Sequence, residues 1–354
     1  LFVEDTLEVV VVPVNDQPVV VAAIPDTLVL VDAAPIINYV DLNDIFSDIE
    51  EGSGLLFAVH DNDAPGAVTV TIDADSAVGI SFSPDTHAIA TIVIRATDSG
   101  GLFVDETFAV RVHRTSWVIN ADGTGHEPNI QATVNLSLNG DTLTLTDGTY
   151  TGPGPRGINF DGRDIVITSL NGPEVTIIDL ENLDRGFVID NVGPNTVLSD
   201  ITIMNGIQNQ GACIKMSGAS PLLTGLILVG NTAGSDGGAI YLDNGSNATI
   251  TNCRIVGNYA ALGGGIYANG SSPIIDNCTI IENNATTGGA GIHLRNSSDA
   301  AISNSIIAFN TLGPGIECAG GDNPTVSCSN IFCNEGSDAI CGTDMADIIS
   351  ADPL

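Results

Sequence analysis

The stretch TITNCRIVGN (249–258) carries the pattern that decides the fold, because the chain repeats it with small changes. Close copies are LLTGLILVGN (222–231), IIDNCTIIEN (274–283), AISNSIIAFN (301–310) and TVSCSNIFCN (325–334). Two apolar columns recur at steps of 24 to 27 residues: Leu198, Leu223, Ile250, Ile275, Ile302, Val326 and Ile203, Leu228, Ile255, Ile280, Ile307, Ile331. β-Branched runs broken by Gly and Asn at this period indicate a stacked solenoid, in which each coil buries its apolar face against its neighbours.

Two more columns follow the same period. One is polar and consists of Asn231, Asn258, Asn283, Asn310 and Asn334. We expect these asparagines at a tight turn, in the left-handed conformation that Asn tolerates, with amides bonded to the Asn above and below. The other column is apolar and is predicted to point inward: Ile214, Ile240, Ile266, Ile292, Ile316, Ile340.

Charge narrows the range of partners. The 354 residues include 43 acidic and 9 basic side chains, for a formal charge of −34. Nothing in such a chain would neutralise phosphates, which argues against nucleic acid and anionic membrane surfaces as partners. An excess of carboxylates suits an extracellular protein that collects hard cations such as Ca²⁺, although solubility in salt would also explain it. The sequence contains no run of 18 apolar residues, so it predicts no membrane span.

The chain begins inside a strand pattern and stops without a clear end, so we interpret it as a fragment of a longer, bacterial-type secreted or surface protein. Four of the seven cysteines lie close together near the C-terminal end, and they lack the spacing of a zinc site. We expect these cysteines to form disulfides in an oxidising compartment. Cys253 and Cys278 hold the same place in adjacent coils. They are predicted either to form a disulfide or, since parallel side chains do not point at each other, to remain a stacked thiol pair.

The first 114 residues read as strands alternating with Asp, Gly and Pro turns, without a helical period. LFVEDTLEVVVV at the start aligns with LFVDETFAVRVH from Leu102. Residues 1–17 are therefore predicted to be the last strand and linker of a preceding module. Residues 18–114 are predicted to form one complete β-sandwich of about 100 residues.

Three segments of this region resemble a dystroglycan-type cadherin-like repeat: VPVNDQP (12–18), FSDIEEGSGLLFAV (46–59) and RATDSGGLFVDETFAVRV (95–112). The resemblance implies Ca²⁺ held at the junction of tandem modules. The implied ligands are the Asn15 backbone, Asp16, Asp48, Glu50 and Asp98, with Glu50 standing where the family usually has Asp. Oxygen-only groups at one pole match the preference of Ca²⁺. The alternative is that these residues only form turns through side-chain to backbone bonds.

Residues 115–354 are predicted to form the solenoid, with a short amphipathic cap over its open end at Ile130, Val134, Leu136 and Leu138. With the segments GGAIYLDNG (237–245) and GGGIYANG (263–270), the repeats resemble the right-handed parallel β-helix of pectin-lyase-like proteins. The predicted fold class is therefore all-β, a cadherin-like or immunoglobulin-like sandwich followed by a β-helix. That family spans lyases, hydrolases, esterases, adhesins and inert scaffolds, so the resemblance leaves the activity open.

One face of the helix breaks the uniformity of the repeats. If the isoleucine column points inward, the next residues point outward, and these are Lys215, Tyr241, Tyr267, His293 and Glu317. Two positions further on, also outward, lie Ser217, Asp243, Asn269 and Arg295, and Asp161 and Asp190 extend this row back. Aromatic rings flanked by polar groups along the axis predict a polysaccharide-binding groove. Ordinary packing of tyrosines on a sheet is the alternative.

Catalysis would require more than this face provides. Lys215 and Arg295 are candidate bases for a lyase, and Asp161 with Asp190, or Asp190 with Asp243, are candidate carboxylate pairs for a hydrolase. No recognisable signature accompanies any of them. The sequence therefore favours adhesion or binding of a polysaccharide or cell-surface glycan over an enzyme. A polysaccharide lyase or glycoside hydrolase acting on the tyrosine face, and a rigid spacer, are the alternatives.

Overall fold

The computed structural model describes residues 14–52, 54–336 and the strand Asp344–Ala346. The chain separates into two compact units, Leu1–Arg114 and Thr115–Leu354, and each is considered by itself. The duplicated strand at residues 1–12 and the column member Ile340 lie outside the described residues.

The described residues of the N-terminal unit form one four-stranded sheet and two small two-stranded sheets, which is consistent with a sandwich-like module. The larger sheet has the strands in the order Thr27–Leu30, Phe103–His113, Ala88–Thr97, Leu56–Asn62. Its first pair is parallel and the other two pairs are antiparallel. The small sheets pair Val19–Val20 with Phe46–Ser47 and Val68–Ile72 with Val78–Phe82, and a short 3-10 helix spans Leu42–Asp44.

The second unit is a parallel β-helix, as predicted, and its described residues form three long sheets and one short sheet. Sheet A contains Ser116–Ile119, Thr142–Leu145, Val166–Ser169, Val197–Ser199, Leu222–Thr224, Thr249–Thr251, Ile274–Asp276, Ala301–Ser303, Thr325–Ser327 and Asp344–Ala346. Sheet B contains Gly148–Tyr150, Thr176–Asp179, Thr202–Met204, Ile227–Val229, Arg254–Val256, Thr279–Ile281, Ile306–Ala308 and Asn330–Phe332. Sheet C contains Ile158–Asn159, Phe187–Asp190, Ile214–Ser217, Ile240–Asp243, Ile266–Asn269, Ile292–Arg295 and Ile316–Ala319. The short sheet D contains Ile207–Gln210, Thr232–Asp236, Tyr259–Ala260 and Asn284–Ala285.

The predicted cap is the α-helix Ile130–Leu136. It begins at Asn129, whose side chain accepts a hydrogen bond from the Ala132 N–H, as an N-cap does. Ile130 and Val134 are buried against the first coils, so the apolar stripe of the helix closes this end of the core. In the described part of the chain, no helix is long and apolar enough to span a membrane.

The inward apolar columns are confirmed. Ile214, Ile240, Ile266 and Ile292 are fully buried, and Ile316 is 1% exposed. Each aliphatic side chain buried in this way contributes about 1.5–3 kcal/mol. Because the partners of each side chain lie in the coils above and below, the core is a continuous stack.

The asparagine column forms the predicted ladder, but its backbone differs from the prediction. The Asn258 amide donates to Asn283 Oδ1 at 2.9 Å, and the Asn283 amide donates to Asn310 Oδ1 at 3.1 Å. The prediction of left-handed asparagines in this column was wrong. The residue before each one takes that conformation, as at Gly257 (φ 64°) and Glu282 (φ 57°). The chain therefore turns just before the ladder, and Asn only satisfies the buried backbone groups at the corner.

Buried hydroxyls and thiols form two further ladders that the repeat alignment did not single out. In the first, Ser246, Ser271 and Ser298 accept backbone N–H bonds from the preceding coils. In the second, the Sγ atoms of Cys253 and Cys278 donate to the carbonyls two residues earlier, as the hydroxyls of Ser305 and Ser329 do. Cys253 and Cys278 are free, which confirms the stacked thiol pair.

The cysteines near the C-terminal end differ from one another. Cys318 is disulfide-bonded, whereas Cys328 and Cys333 are exposed free thiols. The expected use of disulfides therefore holds for Cys318 and not for these two neighbours.

Candidate functional site

The outward residues of sheet C form one continuous column, and their predicted register is confirmed. We call this set the ring column: Lys215, Tyr241, Tyr267, His293 and Glu317. The Tyr241 and Tyr267 rings stack at 5.4 Å between centroids with 5° between planes. The Tyr267 and His293 rings stack at 5.4 Å and 3°. The parallel strands impose this arrangement, because they place equivalent side chains about 4.8 Å apart.

The prediction of exposed ring faces was wrong. Tyr241, Tyr267 and His293 are only 5%, 4% and 3% exposed. The ring faces that meet are covered by the neighbouring ring, and the chain before each of the three ring-bearing strands lies against the column. We call these stretches the cover segments: residues 234–238, 260–264 and 286–290. A Cβ atom on Gly263 would lie 2.9 Å from the Tyr267 Cβ, so this approach of the backbone requires glycine.

The ring column ends in charged groups. At one end the Lys215 ammonium lies 5.9 Å from the centre of the Tyr241 ring. Lys215 is the single lysine in the sequence. At the other end, His293 Nδ1 lies 3.5 Å from Glu317 Oε2. The rings are thus closed off along the axis by a cation and by a carboxylate.

Beside the ring column runs a second row that solvent reaches. We call it the outer row: Asp190, Ser217, Asp243, Asn269 and Arg295. Its first four side chains are half-buried and Arg295 is exposed. The strands place Asp190 beside Ser217, Ser217 beside Asp243, and Asn269 beside Arg295. Exposed asparagines at the following corner bond to this row, as Asn244 does when it donates to Ser217 Oγ at 2.7 Å. The outer row is therefore ordered as well as accessible.

Asp161 differs from the outer row in its exposure and backbone conformation. It is exposed, has a positive φ of 49°, and pairs with Arg163 at 3.3 Å from Nη1 to Oδ2. Of the two predicted carboxylate pairs, Asp161 with Asp190 is therefore the weaker, because Asp161 already has a cation partner.

Burial and neighbouring charges shift several protonation equilibria here. Burial raises the pKa of Asp190, with Asp243 adding to the effect and Lys215 opposing it. One oxygen of Asp190, Oδ1, is buried without a hydrogen-bond partner among the described residues. Burial, together with Asp243 and Asp236, raises the pKa of Tyr241 to about 12. Burial therefore disfavours the charged forms of this phenol and this carboxyl group.

Sequence reasoning missed Asp236 and Arg185, which border the ring column. Asp236 accepts hydrogen bonds from Gln210 Nε2 at 3.0 Å and Ser235 Oγ at 2.9 Å, and its charge acts on both tyrosines. Arg185 is half-buried and donates from Nε to the Gly211 carbonyl at 2.8 Å. The alignment of sheet D would have shown Asp236, but a register shift between Gln208 and Gln210 interrupts the repeat there.

The predicted calcium ligands of the N-terminal unit are only partly brought together. Asp48 and Asp98 are both 6% exposed. Asn15 Nδ2 donates to Asp98 Oδ2 at 2.9 Å. Asp16 and Glu50 are exposed. Instead of Glu50, the neighbouring Glu51 reaches the turn of Asp98 and accepts from the Ser99 N–H at 2.7 Å.

The fit of these residues to a cation rests on Asp48. Its Oδ1 accepts the Glu50 and Glu51 N–H groups at 2.9 Å each, while its Oδ2 is buried and has no hydrogen-bond partner within the described residues. No described Lys, Arg or His forms an ion pair with Asp48 or Asp98. Buried carboxylates without a counter-charge are costly, and a bound cation would satisfy them. Among the described residues, however, no three acidic, His or Cys side chains are grouped closely enough to hold a metal ion.

Comparison with known proteins identifies the fold of the second unit. Residues 182–350 match the family model of a right handed beta helix region. The predicted hand of the helix is therefore confirmed, with about eight turns. No curated protein matches the chain.

Two solved structures are similar at low identity. One is the crystal structure of pectate lyase Pel9A, with 18% identity and a TM-score of 0.45, over 62% of this chain and 63% of that one. The other is the Yersinia enterocolitica Family 28 exopolygalacturonase, with 9% identity and a TM-score of 0.25, over 78% and 84%. The chain thus spans less than two thirds of the pectate lyase. At these identities and scores, neither similarity informs on the reaction or ligand of this chain.

Proposed function

We propose that the chain belongs to an extracellular protein that binds a polysaccharide along the outer row of sheet C. The observation that supports this proposal is that the outer row presents a different chemical group at the same position of successive strands. The inward columns stay aliphatic and the ladder stays Asn, whereas the outer row changes from acid to hydroxyl, acid, amide and guanidinium. A stacking scaffold has no need of this variety, whereas recognition of a sugar chain uses it.

The dimensions of the outer row suit an extended polymer. Five strands at a spacing of about 4.8 Å give a row about 19 Å long, parallel to the helix axis. Sugar hydroxyls donate hydrogen bonds to carboxylate, hydroxyl and amide oxygens, and they accept hydrogen bonds from hydroxyl, amide and guanidinium groups. Because the ring faces are covered, binding would depend on hydrogen bonds. The rings would serve as a rigid floor that fixes Asp243 beside Tyr241 and Arg295 beside Tyr267.

A glycan array probed with the intact chain and two outer-row variants tests the proposal. We expect Asp243→Ala and Arg295→Ala to reduce retention at least about tenfold, since each removes hydrogen bonds worth roughly 1.5–3 kcal/mol. Arg254→Ala is the matched control, because Arg254 is also exposed but lies on sheet B. Absence of any retained glycan, or equal retention by all three variants, would contradict binding at this row.

Cleavage of the bound chain is a second candidate, and the state of Asp190 favours it. A carboxyl group whose pKa is raised by burial, and whose Oδ1 has no hydrogen-bond partner among the described residues, is a candidate to donate a proton to a leaving group. Asp243 lies two strands away, about 9.6 Å, close to the roughly 6.5–9.5 Å separation of carboxyl groups in inverting glycosidases. In this proposal Asp190 is the acid and Asp243 activates water.

The cleavage proposal is tested separately from binding. A panel of neutral and uronate glycans is incubated with the chain, and new reducing ends and unsaturated products are measured. Asp190→Asn should abolish the release of reducing ends while retention on the array persists. A chain that retains glycans but releases neither product is a binder only. Unsaturated products would instead indicate a lyase.

Calcium in the N-terminal unit is a further proposal, which rests on Asp48 Oδ2, a buried oxygen that no described residue hydrogen-bonds. Calorimetry of the intact chain in EDTA and in millimolar Ca²⁺ tests it. A hundredfold excess over the dissociation constant should stabilise the unit by about 2.7 kcal/mol. Asp48→Asn and Asp98→Asn should lose the shift, while Asp75→Asn, in an exposed turn, should keep it. Equal shifts in all variants would contradict a site at Asp48 and Asp98.

A further inference from the structure

The imidazole of His293 has two competing partners at a single nitrogen. The Gly289 N–H, in the last cover segment, donates to Nδ1 at 3.3 Å. Glu317 Oε2 lies 3.5 Å from the same nitrogen. That oxygen is buried and has no hydrogen-bond partner in the described part of the chain. His293 is itself only 3% exposed, so water does not readily mediate between the three groups.

One protonation state cannot satisfy both partners. Neutral His293 with a lone pair on Nδ1 accepts from Gly289 but turns that lone pair toward the Glu317 carboxylate. Protonated His293 donates from Nδ1 to Glu317 but then presents an N–H group to the Gly289 N–H. The bond from Gly289 requires the neutral ring with its proton on Nε2, and a protonated ring has no acceptor at Nδ1, so protonation excludes this bond.

The backbone of the cover segment is in direct contact with this ring. A Cβ atom on Gly288 would lie 2.7 Å from His293 Nδ1 and 2.6 Å from Leu262 Cδ2. A Cβ on Gly289 would lie 3.0 Å from the Glu317 Cβ. With no side chain between backbone and ring, a change of hydrogen bond at Nδ1 acts directly on the position of residues 286–290.

We propose that His293 and Glu317 form a pH-sensitive latch for the cover segment 286–290. With His293 neutral, the Gly289 bond holds the segment closed over the ring column. Protonation of His293 places a hydrogen on Nδ1, which then donates to Glu317 and no longer accepts from Gly289. The segment is released, and the His293 end of the ring column opens to solvent. The latch does not depend on polysaccharide binding by the outer row.

The charged and titratable groups around His293 set the direction of the change. Glu317 lies beside it on the next strand of sheet C and Tyr267 on the preceding strand, while the charges of Asp236 in sheet D and Arg295 on its own strand also act on it. Burial, the largest influence, lowers the pKa of His293, and Glu317 and Asp236 only partly oppose this. A lowered pKa means that the closed form binds the proton more weakly than the open form. Closure is therefore favoured above the ordinary histidine pKa and is lost as pH falls below it.

Hydrogen exchange of the intact chain tests the latch. The amides of residues 286–291 are followed at about pH 8 and about pH 5, with correction for intrinsic exchange. We expect protection at Gly289 to fall at least about tenfold in the wild type at the lower pH. His293→Gln should show no pH-dependent loss, because its amide oxygen still accepts from Gly289 and does not titrate.

Two more variants complete the experiment. His293→Tyr repeats the residue of the two preceding coils and also cannot take up a proton in this range, so it serves if the Gln variant does not fold. Glu317→Gln removes a charge that favours the protonated ring and should move the midpoint to lower pH. Equal pH-dependent loss in the wild type and both His293 variants overturns the latch. An unchanged midpoint in Glu317→Gln overturns the role of Glu317.

Discussion

Tyr241 and Tyr267 stack face to face, with 5.4 Å between ring centroids and 5° between ring planes. Outward aromatic residues on a solenoid would normally be candidates for stacking on sugar rings. Here each ring covers the face of the next, and both side chains are almost fully buried. The column is thus a second, smaller core outside the wall of the helix, and its aromatic residues act first on stability.

Truncation of Tyr267 should therefore destabilise the fold. Tyr267→Ala is expected to reduce the free energy of unfolding by about 3 kcal/mol or more, as for other buried aromatic residues. Urea denaturation measures this. Tyr259→Ala is the control, since Tyr259 is 41% exposed and should change stability by less than about 1 kcal/mol. Similar losses in both variants would show that the column is not packed as a core.

Alkaline pH should weaken the fold through Tyr241. Its pKa in the folded chain is raised to about 12, chiefly by burial, whereas an unfolded tyrosine titrates near about 10. The folded state therefore holds this proton more tightly, and the resulting stability is present below pH about 10 and declines as pH rises toward about 12. Unfolding of Tyr241→Phe, measured across this range, should show a shallower decline than the wild type. Tyr259→Phe should follow the wild type.

The Asn ladder should be costly to interrupt. In Asn283→Ala, the Ile255 carbonyl loses a bond of 2.9 Å, and the Asn258 N–H and amide lose theirs at 3.0 and 2.9 Å. Each buried group left unsatisfied costs about 1–3 kcal/mol, so we expect a loss of about 3 kcal/mol or more in urea denaturation. Asn195→Ala, at an exposed position, is the control. A loss below about 1 kcal/mol would mean that neighbouring groups re-pair.

Substitutions of two glycines distinguish the cost of a left-handed backbone from the cost of close packing. Gly263 (φ 63°) and Gly245 (φ 76°) are both left-handed, but only at Gly263 would a Cβ meet other atoms, 2.4 Å from the Ile266 carbonyl oxygen. Gly245→Ala should cost about 1–2 kcal/mol, the conformational term alone. Gly263→Ala should cost clearly more, because the cover segment must also move away from Tyr267. Equal melting temperatures of the two variants would show that the cover segments are loosely packed.

The sequence predicted what depends on the repeat and missed what departs from it. The inward columns, the Asn ladder and the register of Tyr241 with Tyr267 follow from a constant period, so alignment was sufficient. Burial of the rings depends on where the preceding chain lies, which no period reveals. The signal was present in glycine pairs such as Gly237–Gly238 and Gly263–Gly264, since adjacent glycines before a strand allow a backbone to approach closely.

The N-terminal unit shows a second limit of sequence reasoning. Positional matching placed Glu50 among the calcium ligands, yet Glu50 is exposed and Glu51 reaches the turn of Asp98. In an irregular turn, the direction of a side chain depends on backbone angles that spacing does not determine. The period of a solenoid supplies this information in the second unit, and nothing equivalent does so in the first.

Because Lys215 is the single lysine, amine-directed reagents have one side chain to modify, and it borders the outer row. Biotin or a dye attached through an amine would sit next to the surface proposed to meet the glycan. A chain immobilised through the same group would turn that surface toward the support. Labels for binding measurements are therefore better attached through the exposed thiols of Cys328 or Cys333.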